Sequence, residues 1–241
     1  MRAVYVSVAA LAVTLAVTSA IQAQATPAQA PAMQDADRKV VGGGITAPGW
    51  QGRADGAGKV EEAKLTFAAG KYTIMTGPAI SYWNPANVAK GDYTVKATFN
   101  EPNYMNLNDH PHPYGIFIGG NDLGTPDASL MYCAPYGSGT VIIRGFSGTA
   151  PDGKAVTFRM NGGRGAPAES VHKAEKGQPV TQEVMWTVKG GRAECSINGA
   201  VVGGYTAAEV VGAGKLKSLD GVYGIRASHN VEVIVSGLEK K

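Results

Sequence analysis

Between Asp92 and Phe99 the chain reads DYTVKATF, with Tyr93, Val95, Ala97 and Phe99 at one set of alternate positions and Thr94, Lys96 and Thr98 at the other. Successive side chains of an extended chain point to opposite faces, so the pattern predicts a strand buried on one face and wet on the other. Comparable runs rich in Val, Ile, Thr, Tyr and Phe recur at KLTFA, KYTIM, AISYW, YGIFIG, SLMYCA, TVIIRGFS, AVTFRM, TQEVMWTVK, RAECSIN, VYGIRAS and VEVIVSG. Stretches with a helical period are nearly absent. About a dozen short strands joined by glycine-rich turns favour an all-β, two-sheet antiparallel sandwich over a helix-covered sheet.

Turn chemistry refines the C-terminal part. Gly190-Gly191 separates MWTVK from RAECSIN, and Asn198-Gly199 separates CSI from VVGGY. Both pairs suit the positive φ of tight hairpins, so this segment predicts a β-meander. The single candidate helix is a turn or two in TAAEVVGAG, with Thr206 as cap and Glu209 at the third helical position. Alternation places Ala193, Cys195 and Ile197 on the inward face, and Trp186 in VMWTVK reads as core.

The N-terminal part has a different composition. Residues 1–25 run from Arg2 through AVYVSVAALAVTLAVTSAI to the small residues of AQA, the order of a secretory signal, with cleavage before Gln24 or Thr26. Ser7, Thr14, Thr18 and Ser19 interrupt the run, which argues against a membrane anchor. Residues 26–44, rich in Ala, Pro, Gln and Gly, have little large apolar surface to bury and predict a flexible tether. Residues 45–241 then form one β-sandwich domain, roughly 200 residues being enough for a full core. The expected location is secreted or periplasmic, with no transmembrane segment after cleavage.

Charge and cysteines narrow the partners. The 22 lysines and arginines and 19 acidic residues give a net charge of +3 and are scattered, which disfavours nucleic acid. The two cysteines, Cys133 and Cys195, each lie in an apolar run and are either a disulfide, as export permits, or two buried thiols. They are too few for a cysteine-based zinc site.

HPYGIFIGGNDL, YCAPYGSGTVIIRGFSG, ECSINGAVV and DGVYGIRASHNVEVIVSGLE together resemble the concanavalin A-like lectin/glucanase jelly roll. The resemblance extends to its small secreted bacterial members, including laminin-G-like domains and, more distantly, 3-keto-disaccharide hydrolase-type domains. It covers about residues 48–238 and implies a jelly-roll fold, with carbohydrate or cell-envelope glycan as the partner class. Fold alone confers no activity.

The chemistry of an ordinary glucanase is missing from the sequence. That branch carries an E-x-D-x-x-E strand whose alternate carboxylates enter one cleft. The nearest approach here is Asp35-Ala36-Asp37, in the expected tether, and Glu61-Glu62 would point to opposite faces. No G-x-S-x-G occurs, and GGG at 42–44 and GGRG at 162–165 read as linker and hairpin loop.

NDHPHPYG, residues 108–115, is the most distinctive stretch. His110 and His112 share a side of an extended segment, and Asp109 or Asp122 could complete a metal set. Pro111 and Pro113 stiffen the approach to Tyr114, however, and favour a rigid rim loop whose histidines face solvent or a shallow sugar groove and act by hydrogen bonding. Oxygens of Asn121, Asp122 and Asp127 offer a weak calcium alternative; otherwise no cofactor is expected. Trp83 in YWNP is the leading aromatic platform for a sugar, and Asn84, His110, His112, Tyr114, Asp122, Tyr136 and His229 complete the candidate ligand-binding set, with no catalytic residue assigned. His229-Asn230 also suits a turn.

These observations lead to an exported, monomeric glycan-binding or surface-interaction domain without catalysis. A hydrolase or lyase acting on a sugar derivative, and a structural envelope protein with no small-molecule site, are the alternatives.

Overall fold

The computed structural model describes Met1, residues 35–107 and residues 109–241. The chain divides into two units, Met1–Gln34 and Asp35–Lys241. The expected signal and the first part of the expected tether, up to Gln34, fall outside the described residues apart from Met1.

The second unit is a sandwich of two sheets. The first contains, in spatial order, β1 (Gly44–Ile45), β3 (Ala63–Ala68), β4 (Lys71–Thr76), β16 (Glu232–Lys240), β6 (Tyr93–Glu101), β12 (Val180–Lys189), β13 (Arg192–Ile197) and β14 (Ala200–Thr206). The second contains β10 (Ala155–Arg159), β9 (Thr140–Thr149), β8 (Ser129–Tyr136), β7 (Tyr114–Asn121), β15 (Gly221–Ala227), β5 (Ile80–Ala89) and β2 (Gln51–Ala54), with β11 (Ala166–Pro167) also on β9. The β1–β3 pair is parallel, whereas neighbours such as β6–β12, β7–β8 and β5–β15 are antiparallel. The extra strands relative to the sequence expectation are mostly short ones, GI, QGRA and AP, which hold too few residues to display a period of two.

The alternation in β6 appears as read: Val95, Ala97 and Phe99 are buried between the sheets. Trp186 lies opposite Val95 on β6 and Cys195 on β13, and its Nε1 donates to Ile116 O of the other sheet at 3.0 Å. Cys195 is buried and bonded to Cys133 of β8, so the open choice at the cysteines resolves to a disulfide between the two sheets. Both hairpins form, with positive φ at Gly190, Gly191, Asn198 and Gly199. Helix α1 (Ala207–Val210) carries the Thr206–Glu209 capping box. Glu101 is buried at the end of β6, and this burial pushes its carboxyl up to about 7 against the opposing influence of Tyr114 and the Met105 backbone.

The second sheet is apolar on both faces. Ile116, Ile118, Met131, Cys133, Val141 and Ile143 face the sandwich core. The intervening residues Phe117, Leu130, Tyr132, Ala134 and Ile142 join Trp83 in a separate cluster. Strict alternation puts that cluster on the outer face.

The tether expected at 26–44 needs correction over its described part. Residues 35–44 belong to the folded unit. The Arg38 guanidinium donates to Thr76 O and Val231 O, each at 2.7 Å, and the Arg38 backbone N–H donates to Asn230 Oδ1 at 2.7 Å. Asn230 Nδ2 in turn donates to Asp35 Oδ1 and Ala36 O, each at 3.0 Å. Gly43 is likewise no linker residue: a Cβ there would lie 1.9 Å from Glu61 O. Polar bonds and close backbone packing hold this arm, and a reading based on apolar content could not register either.

Candidate functional site

The outer face of the second sheet carries the site. β-sheet register aligns one row of outward residues across it: Arg159, Arg144, Tyr132, Phe117, Gly224 and Trp83. Phe146 and Thr157 are paired across the same antiparallel strands two residues along. Two cavities occupy this face, one of about 310 Å³ and one of about 680 Å³, and Asp55, Phe146 and Thr157 line both. They form a continuous groove, its wider part floored by Trp83 and Leu130 and its narrower part bounded by Arg144, Arg159, Arg226 and three histidines.

Arg226 is the buried anchor of the groove. Its guanidinium grips both oxygens of Asp55, reaches Ser81 Oγ at 3.2 Å, and lies 5.4 Å and 5.2 Å from the ring centroids of Tyr132 and Phe146. Burial alone would lower its pKa, but the charge and hydrogen bonds of Asp55 raise it above the ordinary value. A bidentate pair that stacks on two rings fixes the floor. Arg144 is differently placed: its Nη2 donates to Gly163 O at 2.6 Å, while its Nε is buried without an acceptor among the described residues.

At the narrow end, three separate pieces of chain meet. The loop before β7 brings His110 and His112, the turn between β15 and β16 brings His229, and the arm brings Asp35 and Asp37. Asp35 Oδ2 lies 3.0 Å from His112 Nε2, 3.4 Å from His110 Nδ1 and 3.5 Å from His229 Nε2. His229 Nδ1 lies 3.0 Å from Asp37 Oδ1. The His112 ring meets His110 and His229 edge-on, with centroids at 5.0 Å and 4.3 Å. Burial, then the neighbouring His229, pushes His112 down to about 4 against the pull of Asp35, so its imidazole is neutral at neutral pH.

Of the expected ligand-binding residues, His110, His112, Tyr136 and His229 line the narrow cavity, and Trp83 lines the wider one, though as a 5% exposed floor residue rather than a projecting platform. His112 is 5% exposed, so the expectation that both histidines face solvent or a shallow groove holds for His110 alone. Tyr114 is fully buried in the sandwich core, because it shares the inward parity of Ile116 and Ile118. Asn84 accepts from Ala86 N at 3.0 Å in a local turn, and Asp122 pairs with Lys217 at 2.5 Å; neither lines the two cavities. Asn121 Nδ2 donates to Gly119 O at 3.1 Å and to Asp220 O at 3.0 Å. Asp109, one of the two carboxylates considered beside the histidines, pairs instead with Lys176.

The sequence reading missed Asp35, Asp37, Asp55, Arg144, Arg159 and Arg226. A signal existed for two of them: Arg144 in TVIIRGFS and Arg226 in VYGIRAS each interrupt an apolar strand. The Asp35-Ala36-Asp37 spacing was also visible, and in the extended arm it turns both carboxylates toward histidines.

No protein-family model matches the chain, and no curated protein matches it. Among solved structures, it is similar to a Bacillus subtilis protein of unknown function with a galectin-like fold, at 10% identity and a TM-score of 0.47, covering 79% of this chain and 88% of that one. The Bacillus subtilis carbohydrate-binding module CBM66 gives 11% identity and a TM-score of 0.42, covering 82% of this chain and 98% of that one. Sheep galectin-11 gives 13% identity and a TM-score of 0.36, with 64% and 92% covered. These are likenesses of fold.

Proposed function

We propose that the chain is an exported domain that binds a carbohydrate bearing an acidic group in the groove on the second sheet. The observation that carries this reading is Arg144: a buried guanidinium N–H without an acceptor among the described residues, in a pocket that also holds Arg159 and is floored by Tyr132 and Phe146. An unsatisfied buried donor is costly, and a carboxylate or sulfate oxygen would satisfy it with a charge-assisted bond. The flat rings of the floor suit the apolar face of a sugar. Export is supported by the charge, apolar and small-residue order of residues 1–25 and by the Cys133–Cys195 disulfide, a bond that persists in oxidising compartments. Binding without turnover is supported by Asp55, which lines the pocket but is committed to Arg226.

A glycan array that includes uronate, sulfated and neutral oligosaccharides tests the proposal. Acidic glycans bind, and Arg144→Gln weakens them about 10-fold or more, the worth of a hydrogen bond to a charged group. Exclusive binding of neutral glycans, or none, overturns it. The convergence of His110, His112 and His229 on Asp35 favours a second reading, a hydrolase or lyase acting on a sugar derivative. Release of a shorter or unsaturated product from a bound glycan would select that reading.

A further inference from the structure

The histidine–aspartate cluster has the dimensions of a coordination sphere. In a tetrahedral zinc site with bonds of ~2.0–2.1 Å, neighbouring donor atoms are roughly 3.3 Å apart. Asp35 Oδ2 stands 3.0, 3.4 and 3.5 Å from three imidazole nitrogens, values that straddle this edge length. The donor atoms of Asp35, His110 and His112 all lie within 4.8 Å of one another.

We propose that Asp35 Oδ2, His110 Nδ1 and His112 Nε2 are the protein ligands of a divalent transition-metal ion of the zinc class, beside the groove. This assignment does not depend on a carbohydrate ligand. Two imidazoles and one carboxylate suit zinc and its neighbours; calcium and magnesium favour oxygen-rich spheres. The surroundings are those that orient metal ligands. Asn230 Nδ2 holds Asp35 Oδ1 at 3.0 Å, which fixes the carboxylate with Oδ2 toward the imidazoles. Asp37 holds His229 Nδ1 at 3.0 Å, the carboxylate–histidine pairing that sets ring orientation around metals, and turns Nε2 toward the cluster. Pro111 and Pro113 restrict the backbone that presents His112. Three protein ligands leave a tetrahedral ion one further position, open to a groove ligand.

The test uses the purified protein, stripped with chelator, checked for fold by circular dichroism and titrated with Zn²⁺ by calorimetry. Co²⁺ absorption in the visible serves as a second readout. One ion per chain is expected, with the intense cobalt bands of a four-coordinate site. Asp35→Asn and His110→Ala lower affinity more than ~100-fold, beyond the ~10- to 100-fold expected for the supporting Asp37→Asn. Asp109→Asn leaves binding unchanged. His110 is 66% exposed, so its replacement leaves a folded chain to measure. If folded wild-type protein takes up no stoichiometric ion, the cluster is a hydrogen-bonded imidazole–carboxylate network and the proposal fails. Uptake that is unaffected in Asp35→Asn and His110→Ala places the ion elsewhere and overturns it equally.

Discussion

Buried Glu101 contributes to the pH dependence of the domain's stability, in the sense opposite to buried His112, whose pKa burial lowers. Its carboxyl is pushed by burial from 4.5 up to about 7 in the folded chain. Between those values the native state keeps a proton on Glu101 that the unfolded state has released, so the Glu101 contribution to stability falls as pH rises through this window. A shift of this size corresponds to about 3 kcal/mol. Glu101→Gln keeps the shape without the charge and is expected to remove most of that loss. Urea unfolding of both proteins below pH 4.5 and above pH 7 checks it; parallel losses would show that Glu101 is not responsible. Residue parity also explains one misplaced expectation. Tyr114 drew attention as a ring next to a loop, yet YGIFIG already placed it in phase with Ile116 and Ile118. Proximity to a loop says where a residue is in sequence, whereas parity says which way it faces.

At the scale of elements, the strands and hairpins were legible and the arm was not. Strand signals are local: Asn198-Gly199 and the alternation of β6 each occupy a few consecutive residues. The bond between Asp35 and Asn230 spans 195 positions, and nothing in the composition of either segment announces the other. The same separation hid half the candidate site, because His110 and His112 stand together in sequence while Asp35 arrives from a stretch that reads as linker. Asn230→Gly tests the arm's attachment, glycine being chosen because Asn230 has φ of 53° and alanine would add strain. Losing its hydrogen bonds is expected to cost about 1–3 kcal/mol and to release residues 35–38 first. Hydrogen exchange should then rise in that segment and leave β6 and β12 protected. Uniform loss of protection would mean that the arm supports the whole sandwich.

At the scale of the molecule, the disulfide joins the two sheets across 62 residues of chain. Closing a loop of that length constrains the unfolded state by about 4 kcal/mol. A Cys133→Ala, Cys195→Ala double variant should therefore unfold at lower urea concentration, and reductant should affect the wild type alone. Equal midpoints for the two proteins would show that the sandwich does not draw on the bond. The fold class was readable because one simple strand-and-turn pattern recurs from KLTFA to VEVIVSG, whereas the groove depends on which strands the topology places side by side.

The double burial of the second sheet constrains how this protein can change. Tyr132, Ile142 and Trp83 are part of a packed cluster and also the floor on which any occupant rests. A substitution that reshapes the floor removes apolar packing at the same time, so altered selectivity there comes at the expense of folding. In a library screened for new binding, tolerated changes should concentrate on the rim, at exposed His110 and at Arg159, while floor variants survive only in a background made more stable beforehand.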